Sequence, residues 1–320
     1  MKVSMKMRRI LLGLIAGFAF GAIGALRLAA QQTPAANGVS VQMVVTVEAH
    51  HGSDVPVLDA KDVMVHEGKE RDRVIDWVPA QGEHAGLELF ILIDDGSGQS
   101  VATQLDDIRK FIDGQPSSAL IGIAYMQNGA ARIEQNLTND HALAEKALRL
   151  PRGSAGANSS PYFALSDLTK RWPQSNTRRE VLMISDGIDR FYGSGDLQDP
   201  YLTATIDDAQ RAGVIVSAIY SPGVGHEGHS YWQAYWGQLY LAELADRTGG
   251  ESYYIGMTGP AVAFAPYLND LANRLNHQYI LRFVAKLEKK GGLRRVKVTT
   301  EVPNAELVAA DQVYVPAEAR

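Results

Sequence analysis

Leu87-Glu-Leu-Phe-Ile-Leu-Ile-Asp94-Asp95-Gly96-Ser97-Gly98-Gln99-Ser100 is the stretch that decides the fold. From Leu87 to Ile93 the run is apolar almost without a break. It lacks the alternation of a half-solvated strand, so it predicts a parallel strand covered on both faces. The acidic, glycine-rich and serine-rich tail then falls at the carboxyl end of that strand. In open parallel sheets this is the edge where ligands bind.

Downstream, strand and helix patterns alternate. Val101 to Ile112 carries Leu105, Ile108 and Ile112 at helical spacing and closes at Asp113-Gly114. Residues 119–126 and 131–135 read as strands. Residues 140–150 read as a helix capped by Asn139 or Asp140, and 162–172 as a helix with Leu165, Leu168 and Trp172 on one face. Strands at 180–184, 214–220 and 252–255 alternate with helices at 201–212, 238–247 and 266–277. Such alternation predicts a mostly parallel sheet with helices on both sides.

Both flanks are β instead. Val39 to Val47 alternates, and 62–66 and 73–77 form a hairpin about Glu67-Gly68-Lys69. Strands follow at 278–285, 295–301, 306–309 and 312–315. One reading makes the last strands an extension of the main sheet. The preferred one joins both ends of the chain into a second small β domain, with the α/β domain inserted between them. The expected class is therefore α/β: a doubly wound, mostly parallel, Rossmann-like sheet with a small β-sandwich-like domain formed by the flanking segments. The divisions fall at 39–86, 87–277 and 278–320, after a linker at 31–38.

Residues 1–30 differ in kind. Lys2, Lys6, Arg8 and Arg9 precede an apolar run from Ile10 to Leu26, then Leu28-Ala29-Ala30 and a polar Gln31-Gln32. This is the pattern of a secretory signal peptide, so the protein is expected to be exported, periplasmic or secreted. The alternative is that the run stays as a membrane anchor, for which it is short and interrupted by glycines. Its removal takes away five basic and no acidic residues, moving the formal charge from -5 to -10. An acidic protein lacks the basic footprint of nucleic-acid binding. With no cysteine, a disulfide framework, a thiolate nucleophile and a lipid-modified cysteine are all excluded.

Three polar segments converge on the carboxyl edge of the predicted sheet: Asp94 to Ser100, Gly156 to Pro161, and Ser185-Asp186-Gly187. Carboxylate and hydroxyl oxygens from separate loops suit a hard divalent cation such as Mg²⁺. The residues also admit a plain structural role, with Asp94 and Asp186 holding loop amides.

Phe90-Ile-Leu-Ile-Asp-Asp-Gly-Ser-Gly98, Met183-Ile-Ser-Asp-Gly187 and Leu244-Ala-Asp-Arg-Thr-Gly-Gly250 resemble, in this order and spacing, motifs of the von Willebrand factor type A (VWA) domain. The β flanks are similar to those of a bacterial group of secreted VWA-related proteins. The resemblance implies a protein-binding module with a metal ion-dependent adhesion site. Asp94 or Asp95, Ser97, Ser160 and Asp186 would hold Mg²⁺ or Mn²⁺. An acidic side chain of a protein partner would complete the shell, and no other cofactor is implied. The pattern is broken in either register. From Asp95, Ser97 fits but Gln99 replaces the second serine. From Asp94, both serine positions are glycines, Gly96 and Gly98. If the site is degenerate, the surface is expected to bind without metal, or the chain to act as a scaffold in an envelope assembly.

Ser100, Asp189, His226, His229, Trp232 and Trp236 are further candidates for partner contact on the same edge. His226, Glu227 and His229 could ligate zinc, but their spacing is not His-Glu-x-x-His. Ser97 is a weak candidate nucleophile, because Gly96-Ser97-Gly98 lacks the spacing of a nucleophile elbow. No enzyme activity is expected.

Overall fold

The computed structural model describes residues 38–97, 99–153, 156, 159–192, 199–222, 231–254, 263–287 and 289–317, with Gln99 and Ser100 by backbone alone. The signal-like segment, His226, Glu227 and His229 lie outside the described residues. Among those described, no helix is long and apolar enough to cross a membrane.

The chain opens with β1 (Gly38–Ala49), β2 (Val63–Glu67) and β3 (Glu70–Pro79). The α/β body follows. Its strands are β4 (Leu87–Asp94), β5 (Ala119–Gln127), β6 (Ala130–Thr138), β7 (Arg178–Ser185), β8 (Val214–Tyr220) and β9 (Ser252–Tyr253). Its helices are α1 (Gln99–Ala102), α2 (Leu105–Asp113), α3 (His141–Ala147), α4 (Pro161–Arg171), α5 (Pro200–Ala212), α6 (Tyr231–Thr248) and α7 (Ala265–Asn276). The strand order is β6-β5-β4-β7-β8-β9, parallel except for β6, which runs antiparallel to β5.

β4 is buried along its whole length. Its side chains divide by parity, as a pleated strand requires. Leu87, Leu89, Ile91 and Ile93 face one apolar layer with residues of α1, α2, α3 and α7. Phe90 and Leu92 face the opposite layer with residues of α4, α5 and α6. The one charged residue of the run, Glu88, is buried and accepts a hydrogen bond from Trp172 Nε1 at 2.7 Å. Because β4 pairs with β5 on one side and β7 on the other, the strand order reverses beside β4. The carboxyl ends of β4 and β7 flank that switch point.

The flanking strands do not extend this sheet. β10 (Gln278–Lys286), β12 (Lys297–Thr300) and β13 (Ala305–Ala309) join the first three strands in an antiparallel sheet of order β12-β2-β3-β10-β1-β13. β11 (Gly292–Arg295) and β14 (Gln312–Val315) pair separately. Alternate residues of β1 (Val41, Met43, Val45) and of β10 (Leu281, Phe283, Ala285) share one apolar core with Val296, Val313 and Val315. Arg178, at the start of β7, clasps both chain crossings: its guanidinium donates to Ala85 O, Leu275 O and Gln278 Oε1 at 2.9, 2.9 and 2.6 Å.

Several expected elements are corrected. The helix over 101–112 is broken at Thr103–Gln104, where Gln104 N bonds Val101 O. The break turns Gln104 toward α7, whose first free amide, Phe264 N, donates to Gln104 Oε1 at 3.1 Å. The helix over 140–150 stops at Ala147, because Leu148 is extended and Arg149 is drawn to β5. The helix expected from 238 begins at Tyr231, so the aromatic run is helical. The strand over 295–301 is split at Val296, whose side chain drops into the core while β11 and β12 join different sheets.

Candidate functional site

The parallel register sets Ile93 beside Ile184, and so Asp94 beside Ser185 at the carboxyl edge. Asp94 is 4% exposed and Asp186 1%. Asp94 Oδ1 accepts from Gly96 N at 2.8 Å and Oδ2 from Ser185 Oγ at 3.1 Å. Burial, and then the neighbouring charge of Asp186, push the Asp94 carboxyl up to about 6, against the Gly96 amide, Arg190 and the Ser185 hydroxyl, which pull it down.

Asp186 Oδ1 accepts from Ile188 N at 3.0 Å, and Oδ2 meets Arg190 Nη2 at 2.6 Å. Gly187, at φ +68°, turns the chain back so that Arg190 reaches the carboxylate four residues earlier. Arg190 N donates to Ser159 O at 3.0 Å, tying this loop to the one before α4. Ser160 caps α4 through Phe163 N and donates its own hydroxyl proton to Asp189 Oδ2 at 2.7 Å. Asp189 Oδ1 accepts from the amides of Phe191 and Tyr192.

Asp95 points elsewhere. Its oxygens receive Arg149 Nη1 and Nη2 at 2.6 and 3.0 Å and the Arg152 amide at 3.0 Å. Arg149 also lies 3.7 Å over the Tyr125 ring. The structure therefore sets Asp94, not Asp95, beside Asp186, and in that register Gly96 and Gly98 stand where the resemblance implies hydroxyls. Ser97 Oγ and Ser159 Oγ are buried without a hydrogen-bond partner. Among the described residues, no group of three His, Cys, Asp or Glu side chains is placed to hold a metal ion. The residues present do not fit the implied divalent site. Asp95 is closed by Arg149, Ser160 serves Asp189, and Asp186 already carries a guanidinium.

Exposed aromatic side chains lie on two segments that adjoin this centre. Gly237 of α6 packs on the main chain at Asp186 and Gly187 so closely that a Cβ there would lie 2.2 Å from Asp186 O. The first turns of α6 are thereby held over the edge. Tyr231, Trp232 and Tyr235 are exposed there, Trp232 at 64%. Phe191 and Tyr192 are exposed beyond Arg190, with Phe191 packed against Phe163 and Tyr201. Trp236 separates from Trp232: it is half-buried, stacks on Tyr240 and belongs to the core. Arg149, Arg190 and Gly237 were not assigned these parts by sequence reasoning; the only local signal was Arg190 following Asp186 by one helical turn's length of chain.

No family model matches the chain, and no curated protein matches it. Similar solved structures include the conserved hypothetical protein BatB from Bacteroides thetaiotaomicron, 14% identical over 59% of this chain and 97% of that one, with a TM-score of 0.44. The SpRpn10 VWA domain is 14% identical over 58% and 93%, with a TM-score of 0.37. The ArnB paralog VWA2 from Sulfolobus acidocaldarius is 11% identical over 86% and 74%, with a TM-score of 0.38. These likenesses are distant, and the fold rests on the chain's own strand order and two helical layers. On that ground the body of this chain is a doubly wound, mostly parallel α/β domain, the fold class that the VWA resemblance implies.

Proposed function

We propose that this chain is an exported protein-binding module that meets its partner with the carboxyl edge of the α/β sheet. The observation that carries the reading is the exposure of Phe191, Tyr192, Tyr231, Trp232 and Tyr235 on the two segments, after β7 and at the start of α6, that adjoin the buried polar centre. Exposed aromatic side chains grouped at one edge are the composition of contact surfaces. The pattern of residues 1–30 supports export. Ser97 Oγ has no hydrogen-bonded base among the described residues, which favours binding over catalysis.

The binding mode is one of apolar burial against those aromatic side chains, with the centre fixing the loops. Asp94, Asp186 and Asp189 outnumber Arg190, so without a metal an incoming carboxylate would meet repulsion. The proposed partner surface is accordingly apolar and not acidic.

A photo-crosslinking residue at Tyr235, with Val57 on the β region as control, tests the reading. Expected is a crosslinked protein partner from position 235 and none from position 57. Crosslinks from 57 alone would transfer the contact to the β region and favour a scaffold role. No protein crosslink from 235 would end the proposal.

A further inference from the structure

We infer that Arg190 is the built-in cation of this site, and that its guanidinium does for Asp94 and Asp186 what a divalent ion would otherwise do. The two carboxylates lie at adjacent strand ends, both buried. Two like charges brought together away from water are costly unless a positive charge is hydrogen-bonded beside them. Arg190 supplies that charge from the Asp186 side. Nη2 sits 2.6 Å from Asp186 Oδ2 and Nη1 is buried beside it, and the guanidinium pulls the Asp94 carboxyl down against the larger upward push of burial and of Asp186. Its side chain is 21% exposed, so water screens the pair only weakly.

The oxygens a metal would use already accept from this chain. Gly96 N and Ser185 Oγ serve Asp94, Ile188 N and Arg190 serve Asp186. A divalent ion asks for about six oxygens in near-octahedral array. A guanidinium asks only for acceptors along its planar fork. The two hydroxyl positions after Asp94 are therefore free to be glycine, because the counter-charge comes from the loop after β7. The inference concerns the centre of the proposed contact face and does not depend on a partner being found there.

The test uses the purified full chain. Mn²⁺ is titrated by calorimetry, and Tm is read with 10 mM Mg²⁺ and with EDTA. Expected are no saturable Mn²⁺ binding at millimolar metal and no change in Tm with either addition. Arg190→Gln is expected to lower Tm by roughly 5–9 °C, the range for stripping a buried charge of its partner in a chain of this size. Asp94→Asn combined with Arg190→Gln is expected to recover much of that loss. Saturable Mn²⁺ binding to the unmodified chain, with a rise in Tm, would overturn the inference. So would an Arg190→Gln chain as stable as the original. Should Arg190→Gln fail to fold, the metal titration of the unmodified chain decides alone. Metal binding would leave the crosslinking result standing, so the two readings fail separately.

Discussion

The Asp95 carboxylate and the Arg149 guanidinium face each other through two hydrogen bonds, of 2.6 and 3.0 Å, across 54 residues of chain. Asp95 is fully buried, and the Tyr125 ring lies under the guanidinium. This pair holds the segment after α3 against the carboxyl end of β4. Arg149→Ala leaves a buried carboxylate unpaired and is expected to cost about 3–5 kcal/mol in urea denaturation. Arg149→Lys keeps the charge but not the fork and is expected to cost about 1.5–3 kcal/mol. An Arg149→Ala chain with the original urea midpoint would show that the pair contributes nothing.

Asp94 gives the molecule a pH dependence of definite sign. Its folded pKa is raised to about 6 from an ordinary value of 3.8, so the folded state binds this proton more tightly than the unfolded state. The contribution is fully present below the ordinary value and is lost as pH rises through about 6. Asp94→Asn removes the charge and keeps the acceptor for Gly96 N. The variant is expected to be more stable than the original at pH 7.5 by on the order of 2 kcal/mol, with the difference shrinking toward pH 4. Urea midpoints at the two pH values check this; a constant difference would contradict it.

The close approach at Gly237 is a steric statement. A Cβ there would lie 2.2 Å from Asp186 O, and one on Gly187 would lie 2.2 Å from Gly237 O. Gly237→Ala is expected to lift α6 from the strand end and cost about 2–3 kcal/mol. The loop holding Arg190 would loosen with it, visible as faster amide exchange at Ile188 and Phe191. Unchanged exchange at those amides would mean that α6 does not hold the loop.

Trp232 and Trp236 are expected to part company. Trp232→Ala removes an exposed ring and should leave stability within about 0.5 kcal/mol while weakening partner crosslinking at Tyr235. Trp236→Ala opens the layer around Tyr240 and should cost about 2 kcal/mol or more. Equal stability losses in both variants would contradict the assignment of one ring to the exposed surface and the other to the core.

The sheet was legible because β4, residues 181–184 of β7 and β8 are apolar runs too continuous for any half-solvated element. The site edge was legible for the same reason, since Asp94 and Asp186 are the residues at which two such runs end. Arg149 was not legible, because nothing in sequence ties it to a carboxylate 54 residues away. Arg190 was visible only as a neighbour; its part depends on the positive φ of Gly187, which a sequence does not display. The start of α6 was missed because Tyr231, Trp232, Tyr235 and Trp236 leave Gln233 as the one polar residue of 231–236, too little of a polar face against which to read a helical period.

β3 ends at Pro79 and β10 begins at Gln278, and in the antiparallel pairing of these strands Tyr279 lies opposite Pro79. In connectivity, residues 80–277 are thus the loop of a β-hairpin. Closing a loop of that length as random chain is slow and entropically costly, whereas a folded body brings its two ends together beforehand. Folding is therefore expected to be ordered in time, with the α/β body forming first and the sheet that joins the two chain ends forming last. Pulse-labelled hydrogen exchange during refolding should protect β4 and β7 before β1 and β10, and protection of β10 ahead of β4 would refute that order.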